Sequence, residues 1–336
     1  MILNTIWFVL IGVLLAGYAV LDGFDLGAAI LLPFIAKNEQ ERNTIFQAIG
    51  PIWDGNEVWL LTGGGALFAA FPQAYATVFS GFYLALMLVL FALIFRAAAN
   101  EFRVHDAARR RFWEGAFVVG SLLPALLYGV AIGNVVQGVP LNAQMEYTGN
   151  FFTLLRPYPL ALGLLGLAMF VMQGAAFLTL KTNGELQKRA RDWWRRAWLA
   201  VTVLLVVSFA LAIIVVPERL GLVLAWLAAL VVVLGIVWAG WAIRKQRDGL
   251  AGVATSLITV ALMGLVGAVN YPNLVTASND TQLSLTIYNT ASSPLTLRVM
   301  LIIALVGMPI VIGYTAYIYW IFRGKIRAGD GEEYGY

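Results

Sequence analysis

The sequence predicts an all-α integral membrane protein with nine transmembrane helices, and three observations carry that expectation. Hydrophobic residues fill 61% of 336 positions, charged residues only 12%, and mean hydropathy is +0.82, a composition that a water-exposed surface does not tolerate. Apolar runs of the roughly 20 residues needed to cross a bilayer recur along the whole chain. The polar segments between them carry their basic residues almost entirely on one side.

The spans fall at about 4–35, 54–71, 74–95, 113–135, 158–180, 197–216, 220–243, 249–269 and 298–322. The first begins without a basic segment or a small-residue cleavage site and is longer than a signal-peptide core, so it reads as a retained helix. Gly23 and Gly27 give it a small-xxx-small pair for close helix contact, and Gly63, Gly64 and Gly65 lie together in the second span. Trp193, Trp194 and Trp198 around the start of the sixth span, and Tyr317, Tyr319 and Trp320 at the end of the last, stand where interfacial aromatics are expected. Short connections favour antiparallel neighbours, and two four-helix bundles plus one peripheral helix is the simplest packing. Residues 1–322 then form a single polytopic domain, and 323–336 a short cytoplasmic tail.

Of the 22 lysines and arginines, only Arg156, Arg219 and Arg298 fall on one side of this layout. The rest cluster at Lys37 to Arg42, Arg96 to Arg111, Lys181 to Arg196, Arg244 to Arg247 and beyond Arg323. Cytoplasmic loops carry the excess of Lys and Arg, which puts the N-terminus outside and the C-terminus inside. Such a distribution explains the net charge of +4 by topology, without nucleic acid. Two longer outer loops, Asn134 to Arg156 and Tyr271 to Leu297, are polar with few charges, a composition suited to packing against a protein partner as well as to solvation.

Cysteine is absent and His105 is the single histidine. Disulfides, thiolate nucleophiles, iron–sulfur ligation and cysteine zinc sites are thereby excluded. His105 belongs to the polar stretch Ala97 to Arg111, so imidazole-ligated haem in the bilayer cannot be built from this chain alone, nor can a multi-histidine metal centre. Any redox chemistry must belong to a partner.

The acids are the exception to the apolar pattern. Asp22 and Asp25 share one face of the first span, one turn apart, and Asp54 and Glu57 repeat that spacing at the inner start of the second. Arg96, at the inner end of the third, is the natural counter-ion. Four carboxylates with one arginine cannot all be ionised cheaply in a low dielectric, because desolvation and like-charge repulsion both oppose it. Groups poised that way can pass protons, and ionisable residues inside a membrane span mark ion or proton pathways by default. The bland alternatives are a cap at a helix break near Gly23 or simple neutralisation of Arg96. Trp53 and Trp59 flank the second pair; such tryptophans belong to the interfacial belt, although an indole beside polar groups can also contact a quinone ring.

The runs Asp22-Gly-Phe-Asp25-Leu-Gly, Trp53-Asp54-Gly-Asn56-Glu57-Val-Trp59-Leu, Gly64-Gly65-Ala-Leu67-Phe68-Ala-Ala and Ser80-Gly81-Phe82-Tyr83 resemble subunit II of the cytochrome bd-type quinol oxidases. Later segments agree, among them Gln137-Gly138-Val139-Pro140, Tyr147-Thr148-Gly149-Asn150-Phe151-Phe152 and Ser292-Ser293-Pro294-Leu295-Thr296-Leu297. The resemblance implies a haem-free subunit of a bacterial or archaeal cytoplasmic (inner) membrane oxidase that oxidises quinol and reduces dioxygen to water. Its partner, subunit I, would hold two b-type haems and haem d. Small single-helix accessory subunits, quinone and membrane lipids are the other implied partners. By the same resemblance Asp22, Asp25, Asp54 and Arg96 are associated with proton supply, and Trp53 with a structural quinone. Glu57 departs from relatives with glutamine there, Asn289 from those with aspartate, and Pro217-Glu218-Arg219 makes a shorter turn than several relatives have.

Two other classes stay open. A secondary transporter would couple these acids to a substrate, but paired helix interruptions in both halves would favour it, and here the acids cluster in the first three spans. A purely structural assembly subunit would use them only to pair charge.

Overall fold

A computed structural model describes residues 1–221 and 223–326 of the chain. Eleven α-helices dominate it: α1 (Ile2–Ile35), α2 (Glu39–Ile49), α3 (Trp53–Ala70), α4 (Pro72–Gly81), α5 (Tyr83–His105), α6 (Arg110–Gln137), α7 (Pro157–Lys181), α8 (Gly184–Val215), α9 (Val223–Arg244), α10 (Asp248–Asn270) and α11 (Pro294–Ile321). Among the described residues, eight of these are long and apolar enough to cross a membrane. The shorter, acid- and glycine-bearing α3 is not among the eight. The expected tail falls outside the described residues from position 327 onward.

Helix α1 packs against α3, α6, α7 and α10, and so forms the spine of the molecule. Its contact with α7 depends on two glycines. A Cβ on Gly27 would lie 1.8 Å from the Phe170 carbonyl oxygen, and one on Gly174 would lie 2.1 Å from the Gly27 carbonyl carbon. Only hydrogens fit there, which is how small residues let membrane helices approach closely. Gly63 also faces α1, at Leu15, whereas Gly64 and Gly65 have open space around them.

Three features depart from the expected layout, besides α8 starting at Gly184 rather than near 197, which makes most of the basic segment up to Arg196 helical rather than a loop. The run expected as one helix over 74–95 is two: α4 ends at Gly81, and α5 starts at Tyr83 and continues to His105. Tyr147 of the outer loop packs where a Gly81 side chain would stand, 2.7 Å from an added Cβ, and Thr77 of α4 donates to the Met145 carbonyl at 3.0 Å. An apolar surface helix covered by a loop has the same composition as a membrane span, which is why the run reads as continuous. Arg96 consequently stands inside α5 rather than at its end.

The second departure is α2, where the sequence suggests only a connection. Asn38 caps it by accepting from the Glu41 amide at 2.9 Å, and Ile45, Phe46 and Ile49 give it a buried face.

The third concerns the two longer loops expected on the outer side, which pack against each other. Val139 donates to the Thr276 carbonyl and Ser278 returns a bond to Val139, both at 2.9 Å. Asn279 bridges to both backbone groups of Leu141, and a two-stranded antiparallel sheet, β1 (Asn273–Val275) and β2 (Leu285–Thr286), lies alongside. Two basic residues lock this side. Arg156 donates to Asn134 Oδ1 at 3.0 Å and to the Gly138 carbonyl at 2.6 Å, and Arg219 donates to Asn270 Oδ1 and Thr276 Oγ1, both at 2.7 Å. Burial pulls both guanidinium groups below their usual pKa range.

Candidate functional site: a buried acid–arginine group

The site is assembled from three helices. Asp22 and Asp25 lie on the buried face of α1, Glu57 on the second turn of α3, and Arg96 midway along α5. Gly120 of α6 admits α5 at this point, since a Cβ there would meet the Ala92 carbonyl oxygen at 2.6 Å and the Arg96 backbone nitrogen at 2.9 Å.

Arg96 grips Asp22 with both terminal nitrogens, Nη1 to Oδ2 at 2.9 Å and Nη2 to Oδ1 at 2.5 Å. Planar two-point pairing of this kind is what guanidinium geometry favours. The same guanidinium lies 3.8 Å from Asp25 Oδ2 and 3.2 Å from Glu57 Oε1. Arg96 is 1% exposed and Asp22 0%, while the Glu57 side chain keeps 22% of its surface. One cation thus faces three carboxylates inside the protein.

The acids differ in how completely they are satisfied. Both oxygens of Asp22 are taken by Arg96. Asp25 Oδ2 accepts from Asn56 Nδ2 at 2.7 Å, but among the described residues Asp25 Oδ1 has no hydrogen-bond partner, and neither do Arg96 Nε and Glu57 Oε1, the latter meeting Arg96 only as an ion pair. Asp54 stands apart: it is exposed on the first turn of α3 and forms no ion pair with Arg96. Exposure therefore falls from Asp54 through Glu57 to Asp25 and Asp22.

Four of the five expected residues, Asp22, Asp25, Glu57 and Arg96, meet in one cluster, and Asp54 lies outside it. Two participants carry no charge, so a search for ionisable residues passes over them. Asn56 is buried and binds Asp25, and Tyr319 donates its hydroxyl to Asn56 Oδ1 at 3.2 Å. Tyr319 reads in the sequence as an interfacial aromatic, but its hydroxyl turns inward. The available signal for Asn56 is a lone amide between two acids in a helix that must shed its polar groups.

Next along α1, Tyr18 donates to Tyr128 of α6 at 3.1 Å. These two tyrosines line one end of a largely apolar cavity of about 530 Å³ between α1, α6, α7, α8 and α10, which reaches Arg219 and Asn270 at its far end. Ser208, also in its wall, is buried with its hydroxyl unpartnered among the described residues. Trp53 does not line this cavity; it packs against the hydrophobic core that includes Ile45, Ile49 and Trp194. His105 is exposed at the end of α5.

Comparison with known proteins places these features in a family. The sequence profile described as cytochrome bd terminal oxidase subunit II matches residues 3–322. The chain is 39% identical to cytochrome bd-I ubiquinol oxidase subunit 2 of Escherichia coli (strain K12), over 98% of this chain and 97% of that one. It is 35% identical to cytochrome bd ubiquinol oxidase subunit 2 of Bacillus subtilis (strain 168), over 99% of each. The fold also resembles a chain from the structure of bd oxidase from Geobacillus thermodenitrificans, with a TM-score of 0.81 at 19% identity over 96% of this chain and 99% of that one. The chain is a multi-pass membrane protein that belongs to the cytochrome bd terminal oxidase subunit II family.

Proposed function

We propose that this chain admits protons from the cytoplasm to an oxidase whose redox chemistry lies in a haem-bearing partner, subunit I, with two b-type haems and haem d. The complex would oxidise quinol, reduce dioxygen to water and reside in a bacterial or archaeal inner membrane. In this reading α3 is the ninth span, residues 1–322 are one polytopic domain, the N-terminus faces outward and the tail faces the cytoplasm. The exposed outer face of α11 is open to lipid or to a small single-helix accessory subunit.

The observation that carries the proposal is the unequal satisfaction of the acids around Arg96. Asp22, with both oxygens bound, is the fixed anion that keeps the guanidinium charged and in place. Asp25, with one oxygen unpartnered, is the member that can take up and release a proton without breaking the ion pair. Glu57, partly exposed and 3.2 Å from Arg96, links the buried group to the surface. Asp54, exposed at the helix start, gathers protons from the inner water phase. A structural role alone gives no reason for burying three carboxylates on one cation, because each added charge costs desolvation that a single arginine does not offset.

A bound quinone fits the cavity better than Trp53. Apolar walls suit an isoprenoid tail, and Ser208, Tyr128 and Arg219 offer donors to carbonyl oxygens. Whichever quinone occupies it, the residues here bind and orient; no redox step is assigned to them.

Oxygen consumption per assembled complex tests the main proposal. Asp25→Asn keeps the volume and loses the titratable group, so turnover should fall by roughly tenfold or more, the scale of a lost proton-transfer group. Unchanged turnover would reduce the cluster to a scaffold.

A further inference from the structure

We propose that Asn56 and Tyr319 are positioning residues that commit one oxygen of Asp25 and leave the other free, making α11 a working part of the acid–arginine group. This inference rests on the reading of Asp25 as the proton-carrying member.

Asn56 is 1% exposed and is the sole hydrogen-bond donor to Asp25 among the described residues, since Arg96 stays 3.8 Å away. Its Nδ2 donates to Asp25 Oδ2 at 2.7 Å and to the Leu21 carbonyl at 3.2 Å. The other end of the amide accepts the Tyr319 hydroxyl at 3.2 Å. An amide has one donor end and one acceptor end. Turned over, it would set its oxygen against both the Asp25 carboxylate and the Leu21 carbonyl, acceptor against acceptors. The Tyr319 proton on Oδ1 and the Leu21 carbonyl opposite Nδ2 together hold the productive orientation.

The surroundings of Asp25 leave no substitute for this donor. Asp22 on its own helix and Glu57 on α3 are acids. Arg96 on α5 is committed to Asp22. The α7 face packed on α1 brings Gln173, whose Nε2 goes to the Val20 carbonyl at 3.3 Å. Helix α11 has Leu297 as its only buried residue. Despite that exposure it is pinned at both ends, by Trp7 Nε1 on the Leu297 carbonyl at 2.9 Å and by Lys181 on the Phe322 carbonyl. Those two anchors set the helix so that Tyr319 reaches inward.

The test uses the intact oxidase complex with Asn56→Leu, Tyr319→Phe, the double variant, and Asp25→Asn as reference. Oxygen consumption per complex, counted by cytochrome absorbance, is measured in water and in deuterium oxide. Asn56→Leu should slow turnover roughly tenfold, the equivalent of one hydrogen bond to a charged group, and should raise the solvent isotope effect as proton transfer becomes limiting. Tyr319→Phe should slow it roughly threefold, in line with a neutral hydrogen bond. The double variant should be no slower than Asn56→Leu, because the two act through one atom chain. Wild-type turnover and isotope effect in Tyr319→Phe would overturn the inference even if Asn56→Leu did not assemble. So would multiplying losses with an unchanged isotope effect, the signature of separate structural damage. Slow Asp25→Asn beside normal Asn56 and Tyr319 variants would sink this inference alone; normal Asp25→Asn would sink the proton reading beneath it.

Discussion

Two charged clusters, each centred on a buried arginine, sit about two turns apart along α5, and they are built to different rules. Around Arg103, every terminal and bridging nitrogen of the guanidinium is used: Nε and Nη2 donate to Glu114 Oε1 at 3.0 and 2.9 Å, Nη1 to Asn43 Oδ1 at 2.8 Å, and Nη2 also to Glu39 Oε1 at 2.8 Å. Arg42 pairs with the other oxygen of Glu114, and Arg110 reaches Glu39 at 3.3 Å. Three cations meet two acids, and the network ties α2 to α5 and α6. Around Arg96 the acids outnumber the cations, three to one, and Asp25 Oδ1, Glu57 Oε1 and Arg96 Nε are left without hydrogen-bond partners among the described residues. The Arg103 guanidinium is fully used, although Arg110 Nε at the rim of its network has no hydrogen-bond partner among the described residues, and this network holds helices together. In the proposed reading, an unsaturated one retains an oxygen that can exchange a proton.

This contrast is open to attack at several points. The largest effect belongs to Arg96→Met, which strands Asp22 and Asp25 in the interior; breaking a buried pair from one side costs about 3–5 kcal/mol. The complex should fail to accumulate in membranes, as judged by its cytochrome spectrum. Gly27→Ala comes next, because its Cβ would fall 1.8 Å from the Phe170 carbonyl oxygen and drive α1 from α7. Overpacking of this kind costs about 1–3 kcal/mol or more, read as a lower melting temperature, while Gly64→Ala, with open space around it, should leave this chain unaffected. A loss of assembly in Gly64→Ala would mark that face as a contact with the partner.

Glu114→Gln should follow, lowering thermal stability by about 1–3 kcal/mol through weakened bonds to Arg103, with turnover per complex intact. Slowed turnover in that variant would erase the distinction between the clusters. The smallest effect is expected from Asp54→Asn, an exposed acid outside the ion pairs. Turnover should fall roughly two- to threefold, the scale of one surface charge, in oxygen-electrode assays. A loss equal to that of Asp25→Asn would move the decisive acid to the surface.

The membrane character and the acidic face of α1 were legible from the sequence because both depend on local composition and on the 3.6-residue repeat. Gly23 and Gly27 likewise announced a close contact, and Gly27 meets Gly174 across it. What escaped depended on tertiary covering. The loop residues Met145 and Tyr147 pack on α4 at Thr77 and Gly81, its apolar run imitates a span, and the displaced boundary hid that Arg96 lies inside its helix. Helix α2 could have been found from its Asn38 cap and the Ile45, Phe46, Ile49 spacing. Asn56 and Tyr319 could not, since a neutral amide and a terminal tyrosine acquire a role only when α11 is folded back onto α3. Asn289 is comparable: its amide donates to the Ser284 carbonyl at 3.0 Å and its oxygen accepts from the Thr286 amide at 2.7 Å. An aspartate there could keep only the second bond.

The most direct examination is of proton movement itself. With the complex reconstituted in vesicles and a pH-indicating dye confined to its cytoplasmic side, an oxygen pulse should draw protons from that side at the turnover rate. Asp25→Asn should slow this uptake while Glu114→Gln leaves it at the native rate. Native uptake in Asp25→Asn, from a complex with its full complement of cytochrome, would contradict the role assigned to the Arg96 cluster.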